Sequence, residues 1–116
     1  MNTSEFDLVL EARLQKIKDV LYSKAKEYAD GDRDRLHNFN KAAMMSGYSR
    51  EEALWGFLLK HLVSVSDIIE NTNVDRFPNR EVIDEKIGDC INYFILLEAC
   101  LVDRLKVENP NRQLPF

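Results

Sequence analysis

Two long apolar segments, each interrupted by polar residues at helical spacing, most constrain what this chain can form. The first is residues 54–67 (LWGFLLKHLVSVSD), in which the polar residues at i, i+4 and i+7 are Lys60, Ser64 and Asp67. The second is residues 82–105, in which the same spacing is occupied by Glu85, Asp89 and Asn92. On an α-helix this spacing places each polar set along one line of an otherwise apolar surface. The function depends on whether these two polar lines meet each other or face solvent.

The same periodicity elsewhere in the chain predicts four helices, over about residues 5–29, 36–46, 50–71 and 80–108. Ser4 is suited to cap the first helix, Ser49 and Glu52 form a capping box before the third, and Asn79 is suited to cap the fourth. Gly47 ends the second helix. The chain has only 4 Gly and 3 Pro and no strand-like alternation, so turn-rich β folds are not favoured. The predicted fold class is all-α, a four-helix bundle in one helical domain over residues 1–109, with a loose C-terminal tail over 110–116.

Each helix has an apolar stripe that is expected to face the core. In the first it includes Phe6, Leu10, Leu14, Ile17 and Leu21, and in the second it includes Phe39 and Met44. In the third it is Trp55, Leu58, Leu62, Val65 and Ile69, and in the fourth it includes Ile87, Cys90, Phe94, Leu101 and Leu105. Further apolar residues lie outside these stripes, namely Phe57, Leu59, Val63, Tyr93, Ile95 and Leu96. A monomer of this size would expose much of that surface, so the sequence predicts a homo-oligomer, a dimer or larger.

Composition and charge disfavour several functional classes. The net charge is −4 and no basic stripe is present, so binding of nucleic acid through its phosphates is not expected. No run of 18 apolar residues predicts a membrane span, and the polar, acidic N-terminus MNTSEFD does not resemble a signal peptide, so a cytoplasmic protein is expected. Cys90 and Cys100 are ten residues apart on one predicted helix and cannot bridge each other there, so buried, reduced thiols are expected.

Acidic residues near the two polar lines are the best candidates for chemistry. The set comprises Asp67, Glu70, Glu81, Glu85 and Asp89. Two helices that carry such carboxylates can hold Mg²⁺, which prefers oxygen ligands and can orient a water against a phosphate chain. The alternative is that these acids belong to solvated faces, because at about 100° per residue Asp67 lies opposite the apolar stripe of its helix, and Glu85 and Asp89 lie opposite that of theirs.

A second candidate site surrounds the first predicted loop. His37, in the segment RLHNFNKAA, could contact a phosphate or donate a proton, or it could be an ordinary surface histidine. Several basic residues close to it could bind a triphosphate, namely Lys24, Lys26, Arg33, Arg35 and Lys41. The aspartates between them oppose that idea. A hydrolase with a serine nucleophile is not favoured, because neither GxSxG nor a glycine-rich phosphate loop is present.

Three segments of the chain resemble the MazG-like all-α nucleotide pyrophosphohydrolase superfamily. They are EYADGDRDRLHNFNKAA, EEALWGFLLKHLVSVSDII and EKIGDCINYFILLEACL, and their order looks most like small phage-encoded relatives. The resemblance implies bundled helices, often dimeric or tetrameric, in which an ExxE pair and an ExxD pair bind Mg²⁺ and a nucleoside triphosphate is cleaved to the monophosphate and pyrophosphate. Asp89 matches the last acid of the second pair. Lys86 stands where its first acid belongs, and Glu85 lies one residue away.

Residue roles follow from this resemblance as hypotheses. Asp67 and Glu70 have the spacing of the first acidic pair, so the metal ligands would be Asp67, Glu70, Glu85 and Asp89, with Glu85 and Asp89 catalytic. The substrate-binding residues would be Arg35, His37, Asn38, Lys41, Lys60, Ser64, Asn92 and Tyr93. The substrate would be an NTP or dNTP, or the chain would only bind a nucleotide. The alternative is a non-catalytic helical interaction protein, such as a phage accessory factor, which Lys86 favours.

Overall fold

Four α-helices make up the described part of the chain. The computed structural model describes residues 1–28, 34–108 and 114, and within those ranges no strand is present. The helices are α1 (Thr3–Tyr28), α2 (His37–Ser46), α3 (Arg50–Asn71) and α4 (Arg80–Glu108). The predicted all-α class is therefore confirmed, and the bounds of α3 and α4 agree with the prediction. The predicted tail over 110–116, apart from residue 114, lies outside the described residues.

Local capping chemistry explains where the helices begin and end. Ser49 and Glu52 form the predicted reciprocal capping box at the start of α3, and Asn79 Oδ1 accepts a hydrogen bond from Val82 N (2.9 Å) at the start of α4. Gly47 closes α2 in the left-handed conformation, with φ of 75°. The cap predicted for α1 is wrong. Asn2 caps this helix instead of Ser4, since Asn2 Oδ1 accepts from Glu5 N and Asn2 N donates to Glu5 Oε2.

The buried core is small and lies between α2, α3 and α4. Its buried apolar members are Leu36, Leu54, Leu58, Cys90 and Cys100, and both cysteines are unbridged. Phe39, Tyr93, Leu96 and Leu97 pack against this core. No helix in the described ranges contains a segment that is long and apolar enough to cross a membrane.

The predicted inner stripes of α3 and α4 are only partly correct. On α3 the fully buried residues are Leu54 and Leu58, whereas Ile69 is 69% exposed and Trp55 is 45% exposed. On α4 the predicted stripe residues Ile87, Phe94, Leu101 and Leu105 are exposed, and on α2 so is Met44. The reason is that both helices are apolar on more than one side, so periodicity alone does not determine which line faces the neighbouring helix.

Charged side chains hold α1 and α3 against α4. Asp84 accepts hydrogen bonds from Arg13 Nη2 (3.1 Å) and Lys16 Nζ, and it pairs with Arg80 Nη2 (2.8 Å). The hydrogen bond from Lys16 and the neighbouring cations lower the pKa of Asp84 despite some desolvation. Gly88 allows the Arg13 side chain to approach α4 closely, because a Cβ atom at position 88 would lie 2.7 Å from Arg13 Nη1.

A second set of ion pairs joins the start of α3 to the end of α4. Arg104 donates to both carboxylate oxygens of Glu51, at 2.7 and 2.6 Å. Arg50 donates to Asp103 Oδ2 (3.0 Å) and to the Cys100 carbonyl oxygen (2.7 Å). The hydrogen bonds from Arg104 lower the pKa of Glu51 to about 2 although its partial burial opposes the shift. These contacts fix the register of α3 along α4.

Candidate functional site

One cavity of about 610 Å³ is bounded by all four helices, and we call it the central cavity. A volume of this size lies within the range of small-molecule sites in proteins. From α1 and the segment before α2, its lining includes Val20, Leu21, Lys24, Asp34 and Arg35. From the helices α2, α3 and α4 it includes His37, Asn38, Phe39, Phe57, Asp89, Asn92, Tyr93 and Leu96.

Two cationic side chains contribute to the central cavity. Lys24 and Arg35 form no ion pair with a carboxylate among the described residues. Arg35 Nη2 donates a hydrogen bond to the Leu21 carbonyl oxygen (2.9 Å), which holds the guanidinium beside the last turns of α1. The nearby carboxylate of Asp34 is occupied by Leu36 N (2.9 Å) and Asn40 Nδ2 (2.7 Å). Both cations can therefore form charge-assisted hydrogen bonds with a bound anion.

Aromatic side chains from three helices reach the same cavity. Phe39 of α2 and Phe57 of α3 are in contact, with ring centroids 6.4 Å apart and planes inclined by 58°. Tyr93 of α4 is half-buried, and this burial together with the charge of Asp89 raises the pKa of its phenol, so it is a neutral hydrogen-bonding group at neutral pH. Aromatic faces of this kind can stack against a planar ring of a ligand.

A histidine contacts the carboxylate of the cavity wall. His61 Nδ1 of α3 lies 3.4 Å from Asp89 Oδ2 of α4, and both side chains are about one-third exposed. The His61 ring also stacks against Tyr93. His61 therefore lies beside Asp89 at the junction of α3 and α4, and neither carboxylate oxygen of Asp89 accepts a hydrogen bond from the described residues.

Asn92 has an unsatisfied polar atom at the cavity wall. Its Oδ1 is buried and accepts no hydrogen bond from the residues that the structure describes. A buried amide oxygen without a partner costs on the order of 1–3 kcal/mol. An unpaired buried polar atom of this kind calls for an explanation, such as strain, a bound water or a functional role.

Six of the twelve predicted site residues line the central cavity, and six do not. Those that line it are Arg35, His37, Asn38, Asp89, Asn92 and Tyr93. Lys41, Lys60, Asp67 and Glu70 are exposed and lie elsewhere, and Ser64 Oγ donates to the Lys60 carbonyl oxygen (3.2 Å) within α3. The Glu85 side chain is 62% exposed and lies 3.4 Å from Lys86 Nζ. Glu85 and Asp89 both border a smaller neighbouring cavity of about 280 Å³.

The acidic residues do not assemble a metal site within one chain. Among the described residues, no three His, Cys, Asp or Glu side chains come close enough together to hold a metal ion. The predicted ligand set of Asp67, Glu70, Glu85 and Asp89 is therefore not brought together in the single chain. The donor set does not fit the Mg²⁺ ion that the MazG-like resemblance implies, and no reaction step through a metal follows from this geometry.

Three residues of the site were not singled out from the sequence as ligand contacts. Phe39 was assigned to the core and Phe57 to excess apolar surface, yet both line the central cavity. His61 is not among the predicted site residues, yet its Nδ1 lies 3.4 Å from Asp89 Oδ2. These roles depend on how α2, α3 and α4 are rotated against one another, and no local sequence signal reports that rotation. Lys24 belongs to the predicted basic cluster, so the sequence did indicate it as a candidate contact for an anion.

Comparisons of the chain with protein-family models, with curated proteins and with solved structures give no significant match.

Proposed function

We propose that this protein binds a nucleotide in the central cavity, with the phosphate near Lys24 and Arg35 and the base among the aromatic side chains. The observation that carries the proposal is the combination, in one cavity of about 610 Å³, of Phe39, Phe57 and Tyr93 with two cations that form no ion pair among the described residues. A nucleotide has both of the parts that such a cavity can recognise, a charged phosphate and a planar ring.

The polar residues of the wall suit the remaining parts of a nucleotide. Asp89 is an acceptor when ionised, so it can accept hydrogen bonds from ribose hydroxyls or from an exocyclic amino group. Asn92 and Asn38 carry carboxamides that both donate and accept. His37, in the first turn of α2, lines the cavity together with Arg35. The ligand class is therefore anionic at one end and rich in hydrogen-bonding groups at the other.

The proposal stops at binding, because the acids that the structure describes in one chain do not fit a metal ion. The MazG-like resemblance goes further, to cleavage of a nucleoside triphosphate with release of pyrophosphate. An assay of pyrophosphate release from a panel of NTPs and dNTPs, with and without Mg²⁺, tests that step separately. We expect binding without release. Metal-dependent release that disappears in Glu85→Ala and Asp89→Ala would replace the binding proposal with the enzymatic one.

Isothermal titration of the full chain with nucleotides, matching nucleosides and inorganic phosphate tests the binding proposal. We expect the nucleotides to bind at least about tenfold more tightly than the nucleosides, since charge-assisted hydrogen bonds contribute roughly 1.5–3 kcal/mol each. The proposal is refuted if no nucleotide binds with a Kd of about 1 mM or lower, a limit that corresponds to a binding free energy of roughly 4 kcal/mol.

Matched variants separate the two halves of the site. Arg35→Ala and Lys24→Ala should each weaken nucleotide binding about tenfold and leave nucleoside binding nearly unchanged. Lys41→Ala is the control, because Lys41 is an exposed cation of α2 that does not line the cavity. Phe57→Ala should weaken nucleotides and nucleosides equally. If Lys41→Ala weakens binding as much as Arg35→Ala does, the weaker binding results from the lower overall positive charge of the protein, and the assigned phosphate position is wrong.

A second candidate function is that of a non-catalytic interaction protein. The observation that favours it is the large number of exposed apolar side chains on α1, α3 and α4. This candidate predicts that Asp89→Ala and Arg35→Ala leave function intact, whereas changes of the exposed apolar residues abolish it. Nucleotide titration of the same variants distinguishes the two candidates.

A further inference from the structure

Asp89 places its carboxylate in the wall of the central cavity. Neither of its oxygens accepts a hydrogen bond from the described residues, and the side chain is 37% exposed. Asp34 also lines this cavity, but its oxygens accept from Leu36 N (2.9 Å) and Asn40 Nδ2 (2.7 Å). Both oxygens of Asp89 can therefore accept from a ligand, and a carboxylate of this kind suits two donors that lie side by side.

A carboxamide stands next to this carboxylate. Asn92 follows Asp89 by three residues on α4, so the two side chains share a helix face, and both line the cavity. Because Oδ1 of Asn92 is buried, its amide nitrogen is the atom that can reach a ligand. Asn38 of α2 lines the same cavity, and its carboxamide forms no hydrogen bond with the described residues. The cavity therefore offers amide donors as well as the two carboxylate acceptors.

An aromatic ring lies on the same face of α4 as the carboxylate. Tyr93 follows Asp89 by four residues, and His61 contacts both, since its ring stacks on Tyr93 and its Nδ1 lies 3.4 Å from Asp89 Oδ2. Asp89 borders both the central cavity and the smaller one, whereas Lys24 and Arg35 border the central cavity and not the smaller one. In a bound nucleotide, the planar base rather than the ribose therefore belongs beside Asp89.

We propose that the nucleotide carries a guanine base whose Watson–Crick edge faces Asp89. The N1–H and one N2–H of guanine lie side by side and donate to the two carboxylate oxygens, while O6 accepts from an amide of Asn92 or Asn38. Adenine and cytosine place a ring-nitrogen acceptor beside their amino group, and uracil places carbonyls on both sides of its N3–H, so a lone pair of each would face the carboxylate. This assignment rests on the proposed nucleotide binding and specifies the base.

Isothermal titration of the full chain with GMP, IMP, dGMP and AMP tests the assignment. IMP lacks only the 2-amino group, so it should bind at least about tenfold more weakly than GMP, because one carboxylate oxygen is left without its donor. The dGMP lacks the ribose 2′-hydroxyl and should bind within about threefold of GMP. The assignment is overturned if IMP binds as tightly as GMP or if AMP binds more tightly. A loss of affinity confined to dGMP also overturns it, because Asp89 would then contact the ribose.

The variant Asp89→Asn provides a readout that general destabilisation does not produce. Xanthine has a carbonyl at C2 where guanine has the amino group, and the introduced carboxamide can donate to that carbonyl while it accepts from N1–H. The wild type should prefer GMP to XMP, and the variant should prefer XMP to GMP by at least about tenfold. If the variant still prefers GMP, the assignment is wrong.

Asp34→Asn is the matched control for the loss of a negative charge. Asp34 lines the same cavity, but its oxygens already accept from Leu36 N and Asn40 Nδ2. The control should therefore change the affinities for GMP and XMP by the same factor and keep the wild-type order. A reversal of the order in Asp34→Asn would show that the charge of the cavity, and not the contact with Asp89, sets the preference.

The same titrations separate the base assignment from the proposed nucleotide binding. If GMP, IMP and AMP bind equally and Arg35→Ala weakens all of them, the central cavity binds nucleotides and the guanine assignment alone fails. If no nucleotide binds with a Kd of about 1 mM or lower, both proposals fail.

Discussion

The imidazole of His61 stacks on the ring of Tyr93, with centroids 4.8 Å apart and ring planes inclined by 27°. The same imidazole places Nδ1 3.4 Å from Asp89 Oδ2. One side chain of α3 therefore contributes both to the packing of α3 on α4 and to the position of a carboxylate in the central cavity. These two roles can be separated, because phenylalanine retains the stacked ring but has no ring nitrogen.

His61→Phe and His61→Leu should differ in stability. The phenylalanine keeps the ring contact with Tyr93, whereas the leucine loses it, and an aromatic pair contributes about 0.5–1.5 kcal/mol beyond the area that it buries. We expect His61→Leu to be the less stable variant by about 1 kcal/mol, a shift of roughly 4–8 °C in a small domain. Thermal unfolding followed by circular dichroism measures this difference. Equal melting temperatures would mean that the stacking makes no net contribution.

The ion pair of Glu51 with Arg104 should make stability depend on pH in the acid range. Hydrogen bonds from Arg104 hold the pKa of Glu51 at about 2 in the folded chain, against an ordinary value of 4.5. Because the folded pKa is the lower one, the contribution is fully present above about pH 4.5 and is lost as the pH falls towards 2. Arg104 is 53% exposed, so we expect about 1–2 kcal/mol rather than the full linkage value.

Denaturant unfolding of the wild type and Arg104→Met over a pH series measures that contribution. The difference between their free energies of unfolding should be constant near neutral pH and should shrink below about pH 4.5. Other carboxylates, such as Asp84, affect both proteins alike and cancel in the difference. A difference that is the same at neutral pH and near pH 2 would show that the pair does not lower the pKa of Glu51.

Local chemistry made the helix boundaries predictable. Ser49, Glu52, Asn79 and Gly47 act through hydrogen bonds or backbone conformation within a few residues, so their roles can be inferred without knowing the tertiary structure. The cap of α1 was misassigned because Ser4 and Asn2 are both suitable caps close to the same start. The glutamate three residues after Asn2, at the N3 position, decides between them, since Glu5 returns a hydrogen bond to Asn2 N.

The orientation of the helices was less predictable, and so was the site. On α4, the polar positions Asp89 and Asn92 line the central cavity, although periodicity suggested that they oppose the core. Phe94 on the predicted inner stripe is exposed in the single chain. A helix that is apolar on two sides gives two solutions of similar free energy, and the choice between them depends on the neighbours. Contacts between helices, such as His61 with Asp89, therefore lie beyond what periodicity can predict.

Leu58 and Ile69 test the corrected orientation of α3, because both were expected on the same inner stripe. Leu58 is fully buried and Ile69 is 69% exposed. Leu58→Ala should cost about 2–5 kcal/mol of unfolding free energy, while Ile69→Ala should cost less than about 1 kcal/mol, since little apolar area is lost there. Denaturant unfolding of both variants gives the comparison. Equal costs would mean that Ile69 is covered in solution, by a second copy or by another partner.

Asn92→Leu should stabilise the unliganded protein while weakening nucleotide binding. The buried Oδ1 of Asn92 has no partner among the described residues, so replacing the carboxamide by an apolar group of similar size removes a cost on the order of 1 kcal/mol. Asn40→Leu is the matched control, because Asn40 Nδ2 donates to Asp34 Oδ2 (2.7 Å) and its loss should destabilise α2. Thermal unfolding and nucleotide titration of both variants are the measurements.

If the replaced residue serves the fold, the variant protein loses stability. If the residue serves a ligand, the variant protein gains stability and loses affinity for the nucleotide. If Asn92→Leu instead melts earlier than the wild type and binds nucleotide equally well, Asn92 supports the fold and is not part of the binding site.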